Sequence, residues 1–152
     1  MRIWVDADSA PRPAKEIVYR TAKRLGIDTV FVANRRLALP VDNPRLSSVV
    51  VPGGADAADA HIAEHAQPGD VVVTHDIPLA AKLVPDGIIV LDPRGEQYTK
   101  ENVGERLSVR DFLEQARAAG IETGGAGPYG NREKHAFAAA LDRALTSRRK
   151  KP

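Results

Sequence analysis

No cysteine occurs anywhere in the 152 residues. That absence removes disulfides, thiolate nucleophiles and cysteine-type zinc sites together, and leaves nothing in the composition to mark an oxidising compartment. Long apolar runs are missing too, since no stretch approaches the roughly 20 residues of a membrane-spanning helix. The opening Met-Arg-Ile-Trp-Val-Asp lacks the apolar core and small-residue cleavage site of a secretory signal. A cytoplasmic protein with no membrane partner is the expectation. One-sided charge is also scarce: 22 Lys and Arg against 20 Asp and Glu leave +2, too little to imply nucleic-acid binding by itself. The placement of the cations says slightly more. Arg12, Lys15, Arg20, Lys23 and Arg24 crowd one helical segment, and Arg148, Arg149, Lys150 and Lys151 form a basic tail. Solubilising surface charge explains most such residues, with a polyanion partner as the sharper alternative.

What is present suits one folded domain, with 43% hydrophobic and 28% charged residues and enough length to bury a core. Ile3–Asp6 reads as a strand that delivers Asp6 at its end. Pro11-Arg12-Pro13 opens a helix whose apolar positions Ile17, Val18, Thr21, Ala22 and Leu25 lead to a closing Gly26. Thr29–Ala33, Ser48–Val51, Val71–Thr74 and Ile88–Leu91 supply four more strands, and the stretch 34–48 is mostly loop. Helices are expected over Asp56–Ala66 and Pro78–Leu83. After Pro93-Arg94-Gly95 the chain turns helical: a capping-box-like Ser108-Val109-Arg110-Asp111 starts a helix ending at Gly120, and Asn131 caps a last one carrying Phe137, Leu141 and Leu145. The strands are continuous apolar runs, as expected of a parallel sheet covered on both faces. No internal repeat or second domain is visible. Trp4 is assigned to the core.

The acids carry the functional signal. Asp6 and Asp8 stand at the end of the first strand, Asp56 and Asp59 open the helix after the third, and Asp76 follows the fourth. Ligands of open parallel sheets bind at the carboxyl ends of the strands, where the strand order reverses. With strands one and four adjacent at that point, Asp6 and Asp76 face one crevice. Clustered carboxylates repel and resist desolvation, and a divalent cation relieves both costs. Oxygen-only ligands favour Mg²⁺ or Mn²⁺. Each acid also has a plainer explanation: Asp56 and Asp59 as N-cap and first-turn acid, Asp8 as a turn residue. Asp56 reads first as a helix-start residue and second as a ligand.

Two further motifs are weighed and set aside as leads. His61-Ile62-Ala63-Glu64-His65 matches the inverted zinc-protease pattern H-x-x-E-H, but a catalytic zinc needs a third ligand in a supporting fold, and a solvated helix face explains the pair better. Asp6-Ala7-Asp8 overlaps in part with the D-x-D of haloacid-dehalogenase-type phosphatases, where the first Asp is a nucleophile. Ala10 stands where that motif usually has Thr or Val.

Several ordered motifs carry a resemblance: Asp6-Ala7-Asp8-Ser9-Ala10-Pro11, Val32-Ala33-Asn34, Gly54-Ala55-Asp56-Ala57-Ala58-Asp59, Thr74-His75-Asp76-Ile77-Pro78-Leu79-Ala80 and Pro93-Arg94-Gly95. With the late Gly124-Gly125 and the Phe-containing last helix, the chain resembles the YaiI/YqxD family of small bacterial proteins over nearly its whole length. Ala10 replaces a cysteine common in that family, so no thiol is required here. The family in turn resembles PIN-like nucleases. The likeness implies a three-layer α/β/α sandwich with a five-stranded, mainly parallel sheet, extra C-terminal helices, one domain over residues 1–147 and a basic tail over 148–152. It also implies Mg²⁺ or Mn²⁺ among the acids. It prefers Asp59 to Asp56 as a ligand and leaves Asp8 to replace an acid missing from a middle helix. The expectation is a metal-dependent nuclease, RNA favoured over DNA. Asp6, Asp8, Asp59 and Asp76 are its catalytic residues, Asp6, Asp59, Asp76 and Asp56 its metal ligands, and Arg12, Lys15, Arg94 and Asn34 its nucleic-acid contacts. The rivals are a small phosphatase with Asp6 as nucleophile and a binding module without turnover.

Overall fold

The computed structural model describes residues 1–125 and 127–149. The expected tail 148–152 falls largely beyond them: residues 150–152, and the side chains of Arg148 and Arg149, lie outside the described residues. The chain is an α/β fold around one mixed sheet. Strands β1 (Ile3–Asp6), β2 (Thr29–Ala33), β3 (Leu46–Val50), β4 (Val71–Val73), β5 (Ile89–Leu91) and β6 (Gln97–Tyr98) lie in the order β3-β2-β1-β4-β5-β6. All neighbours are parallel except β5 and β6. The order reverses between β1 and β4, where Ile3, Trp4 and Val5 pair with Val71, Val72 and Val73.

Side chains of a strand alternate between the two faces, and that parity divides the core. Ile3, Val5, Phe31, Val71 and Val73 pack with Ala14, Ile17 and Val18 of helix α1 (Arg12–Leu25) and Phe137, Leu141 and Leu145 of α5 (Asn131–Arg149). Trp4, Val30, Val32, Val72 and Val90 pack with Ala58 and Ile62 of α2 (Ala55–His65) and Leu79, Ala80 and Leu83 of α3 (Ile77–Leu83). Helices therefore cover both faces, in three layers. Asp6 has the parity of Trp4, so it belongs to the face covered by α2 and α3. That places it beside the helices that carry Asp59 and Asp76.

Trp4 is core, as expected, and its indole Nε1 donates to Asp70 Oδ2 at 3.0 Å. Asp70 also accepts from the backbone N–H of Arg2 and of Gln67, both at 2.9 Å. A buried carboxylate thus ties the start of β1 to the turn before β4, at the edge of the sheet opposite the site.

Four expectations are corrected. The sheet has six strands, not five: Gly95 N–H bonds to Asp92 O at 2.9 Å and Asp92 N–H to Glu96 O at 2.8 Å, folding Gln97–Tyr98 back antiparallel on β5. Helix α4 (Val103–Ala118) begins five residues before the capping-box-like Ser108, which lies inside it. Its start follows a turn in which Thr99 and Asn102 each bond the other's backbone N–H through their side chains, at 2.8 and 3.2 Å. β3 covers Leu46–Val50, not Ser48–Val51, so two residues assigned to the loop pair with β2. Asn131 is the first residue of α5 rather than its cap, and the Gly130 carbonyl accepts the Lys134 N–H at 3.0 Å.

Candidate functional site

Three segments bring acids to the carboxyl edge of the sheet. Asp6 ends β1 and is 6% exposed. Its Oδ2 accepts the Thr74 hydroxyl at 3.0 Å, and Thr74 Oγ1 in turn accepts the Asp76 N–H at 3.0 Å. Asp76 caps α3, its Oδ1 receiving the Leu79 N–H at 2.8 Å. Oδ1 is therefore engaged in the fold, while the carboxylate also faces Asp59. Asp8 Oδ2 accepts the Asn34 backbone N–H at 2.8 Å, which pins the loop after β2 to the loop after β1. The turn at Asp8 is closed by Ser9, whose N–H and hydroxyl both donate to Asp6 O at 3.2 Å. Asp59 comes from α2. Gly54, not Asp56, is the N-cap of that helix, and Asp56 lies in its first turn.

Asp6, Asp8, Asp59 and Asp76 line a single cavity of about 470 Å³, together with Ser9, Asn34, His75, Ile77, Arg110, Glu114 and Arg117. None of the ion pairs among the described residues engages any of these four aspartates. Their electrostatics reflect that isolation. Burial raises the Asp6 pKa, a bond from Thr74 offsets part of the rise, and the charges of Asp8 and Asp76 add to it. Asp59 is pushed up to about 8, by burial first and then by the Asp76 carboxylate within hydrogen-bonding reach, with Asp6 and Asp56 adding repulsion. Two opposed carboxylates that cannot both ionise cheaply hold a proton between them.

The donor chemistry suits a hard divalent cation: oxygen ligands, negative charge and partial burial. The spacing is open. Among the described residues no three acidic or histidine side chains already stand at metal-holding distances. Asp59 and Asp76 would have to give up their mutual contact to close on an ion.

The other expected site residues are spread out. Asn34 reaches the cavity, and its side-chain amide donates to Val51 O at 3.3 Å and Gly54 O at 2.9 Å. Arg94 lines a smaller adjoining cavity of about 180 Å³ with Ser9, Pro11, His75, Asp92 and Pro93. Asp56 neighbours Asp59 electrostatically but lies outside the lining of either cavity. Arg12 pairs with Glu16 at 3.4 Å on the surface, and Lys15 Nζ reaches Ala7 O at 3.5 Å; neither lines a cavity with the acids. The His61 and His65 rings stack on each other at 4.1 Å and lie about 6 Å from the Trp4 ring, at 6.2 and 6.3 Å. They are an aromatic patch as well as a polar helix face.

Sequence reasoning passed over His75 and Asp92. Asp92 follows β5 and is 5% exposed. Its Oδ1 accepts the Arg94 N–H at 2.7 Å, and its Oδ2 lies 2.9 Å from His75 Nδ1 and 3.1 Å from the Tyr98 hydroxyl. Burial alone would raise the Asp92 pKa, yet the bonds from His75, the Arg94 N–H and Tyr98 hold it below the usual carboxylate range. The same bond to Asp92 raises His75, against burial. A carboxylate at Nδ1 fixes the imidazole and leaves Nε2 for other partners. The rule that selected Asp6 and Asp76, an acid just after a buried strand, selects Asp92 equally. Arg110, Glu114 and Arg117 offer no such signal, because only the packing of α4 on α3 brings them to the acids.

The sequence as a whole has close relatives. It is 56% identical over 146 residues to a "UPF0178 protein" of Myxococcus xanthus, covering 96% of this chain and 95% of the relative. It is 52% identical over 148 residues to a "UPF0178 protein" of Syntrophobacter fumaroxidans, covering 97% and 96%. The family model described as "Uncharacterized BCR, YaiI/YqxD family" matches residues 4–147. On both grounds, near full-length identity above one half and the family match, the chain belongs to the YaiI/YqxD family.

Proposed function

We propose that the protein is a cytoplasmic, divalent-metal-dependent nuclease that hydrolyses phosphodiesters, with RNA favoured over DNA. The observation that carries this reading is the convergence of Asp6, Asp8, Asp59 and Asp76 on one cavity with no cation paired to any of them among the described residues. Such an arrangement costs folding energy and is best understood as a holder for Mg²⁺ or Mn²⁺. The likeness to PIN-like nucleases, whose acids cluster at the same edge of an α/β/α sheet, points the same way. Asp6, Asp59 and Asp76 would hold the ion, with Asp8 beside them and Asp56 adding negative charge. The ion supplies activation of water and stabilisation of charge on the phosphate.

The chain's own groups do the rest. Thr74 fixes the Asp6 carboxylate, and the α3 N-terminus fixes Asp76. Burial and the facing Asp76 carboxylate favour the protonated form of Asp59, so holding a cation there would require that proton to be given up. Asp92 holds the His75 ring at the cavity wall. Net hydrolysis adds water across one P–O ester bond, the departing oxygen leaving with a proton.

A binding module without turnover is the second reading, favoured by the open spacing of the acids. The phosphatase reading has less support: Asp6, its required nucleophile, is nearly buried and already bonded through Oδ2. The deciding experiment is hydrolysis of labelled single-stranded RNA with Mn²⁺ by the parent, Asp6→Asn and Asp76→Asn. Cleavage by the parent and a loss of at least about 100-fold in both variants is expected, on the order of a lost catalytic ligand. Equal cleavage by all three would expose a contaminant and refute the proposal.

A further inference from the structure

Three cavities adjoin along the face that holds the acids. The acid cavity shares Ser9 and His75 with the smaller one at Arg94, and shares Arg117 with one of about 480 Å³ bounded by Gly120–Gly124. Through these shared walls they follow one another as a track of three compartments, with the aspartates in the middle one. Three arginines line it, and they differ in how they are held. Arg110 is neutralised by Asp111 and Glu114, both at 3.0 Å. Arg94 instead donates to the Gly127 carbonyl and lies 5.9 Å from the Tyr129 ring centre. Arg117 donates to the Thr123 hydroxyl at 3.2 Å. Neither Arg94 nor Arg117 takes part in an ion pair among the described residues. Each guanidinium is steadied by a neutral oxygen and keeps both its full charge and further N–H donors.

We infer that the track takes an internal stretch of single-stranded nucleic acid, with one phosphate at Arg94, one at Arg117 and the linkage to be cut between them at the acids. Arg94 lies in the outer compartment on one side of the acids and Arg117 at the junction on the other, where Glu114 and Glu122 also line the walls. Two cations flanking the acids, unpaired among the described residues, match a polymer with regularly spaced phosphates. A mononucleotide or a phosphomonoester would fill one compartment and leave the others without a role. Asp92 also lines the Arg94 compartment and stays an anion there, but its oxygens are directed at the Arg94 N–H, His75 and Tyr98, so the Arg94 guanidinium is the group left to meet a phosphate. The inference rests on the nuclease reading for the middle compartment only.

The test is fluorescence anisotropy with a labelled single-stranded RNA octamer in Ca²⁺, repeated across salt concentrations. Arg94→Ala and Arg117→Ala are each expected to weaken binding several-fold and to lower the salt-dependence slope by about 1, as expected for one lost phosphate contact. Arg132→Ala, which removes an exposed charge on α5 outside the track, serves as the control and is expected to leave the slope alone. Slopes for Arg94→Ala and Arg117→Ala equal to the parent's, or no binding by the parent, would overturn the inference. Circular single-stranded RNA, which has no ends, supplies a second readout: linearisation with Mn²⁺ is expected, and cleavage confined to linear RNA would rule out an internal cut. Hydrolysis without the slope losses sinks the track alone. Slope losses without any hydrolysis sink the nuclease and leave the track as a binding surface.

Discussion

Asp59 faces the Asp76 carboxylate while partly removed from water, and its pKa rises to about 8 as a result. In an unfolded chain an aspartate titrates near 3.9. Between about pH 4 and pH 8 the folded protein therefore holds a proton that the unfolded chain has released, and stability falls as pH rises through that window. Asp59→Asn cannot ionise, so it is expected to remove this loss. The gain at pH 8.5 should be about 1–2 kcal/mol after discounting for solvent screening, with little gain at pH 4.5. Urea unfolding at the two pH values measures it, and an equal effect at both would contradict the assignment of the proton to Asp59. At this scale the sequence was informative where chemistry and position coincide. Asp6 and Asp76 are legible because an acid after a buried strand has few structural reasons to be there. Asp59 was singled out by family likeness. Its titration behaviour depends on how close α2 comes to α3, which no local pattern encodes.

The turn between β5 and β6 positions both Asp92 and Arg94. Gly95 sits in it at φ +102°, and an added Cβ would lie 2.7 Å from the Ala136 backbone carbon on α5. Backbone strain and overlap act together there, so Gly95→Ala is expected to cost about 3 kcal/mol or more. Gly69→Ala makes the comparison: φ is +95° but nothing lies within 4 Å of the added carbon. Strain alone, about 1 kcal/mol, is expected for it. Chemical denaturation of the two variants checks the difference, and equal losses would show that the approach of α5 is not what requires glycine. Elements were legible where burial imposes an unbroken apolar run, as in β1, β2 and β4. β6 was missed because two residues, Gln97 and Tyr98, carry no periodicity and pair only through the turn before them. The start of α4 was misplaced because its side-chain bonds come from Thr99 and Asn102, a Thr-x-x-Asn pair, while Ser108 offered a more familiar motif inside the helix.

Across the whole molecule, strand order decides where chemistry can occur. β1 and β4 lie side by side at the reversal of the sheet, and the parity that buries Trp4 beneath α2 and α3 turns Asp6 toward the same helices. Distant segments thus deliver carboxylates to one cavity, while Asp70 secures the opposite edge through Trp4, Arg2 and Gln67. The sequence offered the convergence of Asp6 with Asp76 only on the condition that strands one and four are neighbours, and the strand order supplies that condition. Arg110 and Arg117 were not legible, because α4 buries no residue and so no core-facing stripe fixes which side it turns to the acids. The most direct test of the account is calorimetric titration of Mn²⁺ into the parent, Asp6→Asn and Asp76→Asn at pH 7 in buffers of different ionisation enthalpy. The account predicts saturable binding by the parent with release of a proton, and binding weakened at least about tenfold in both variants. No binding by the parent, or equal affinity in all three, would contradict it.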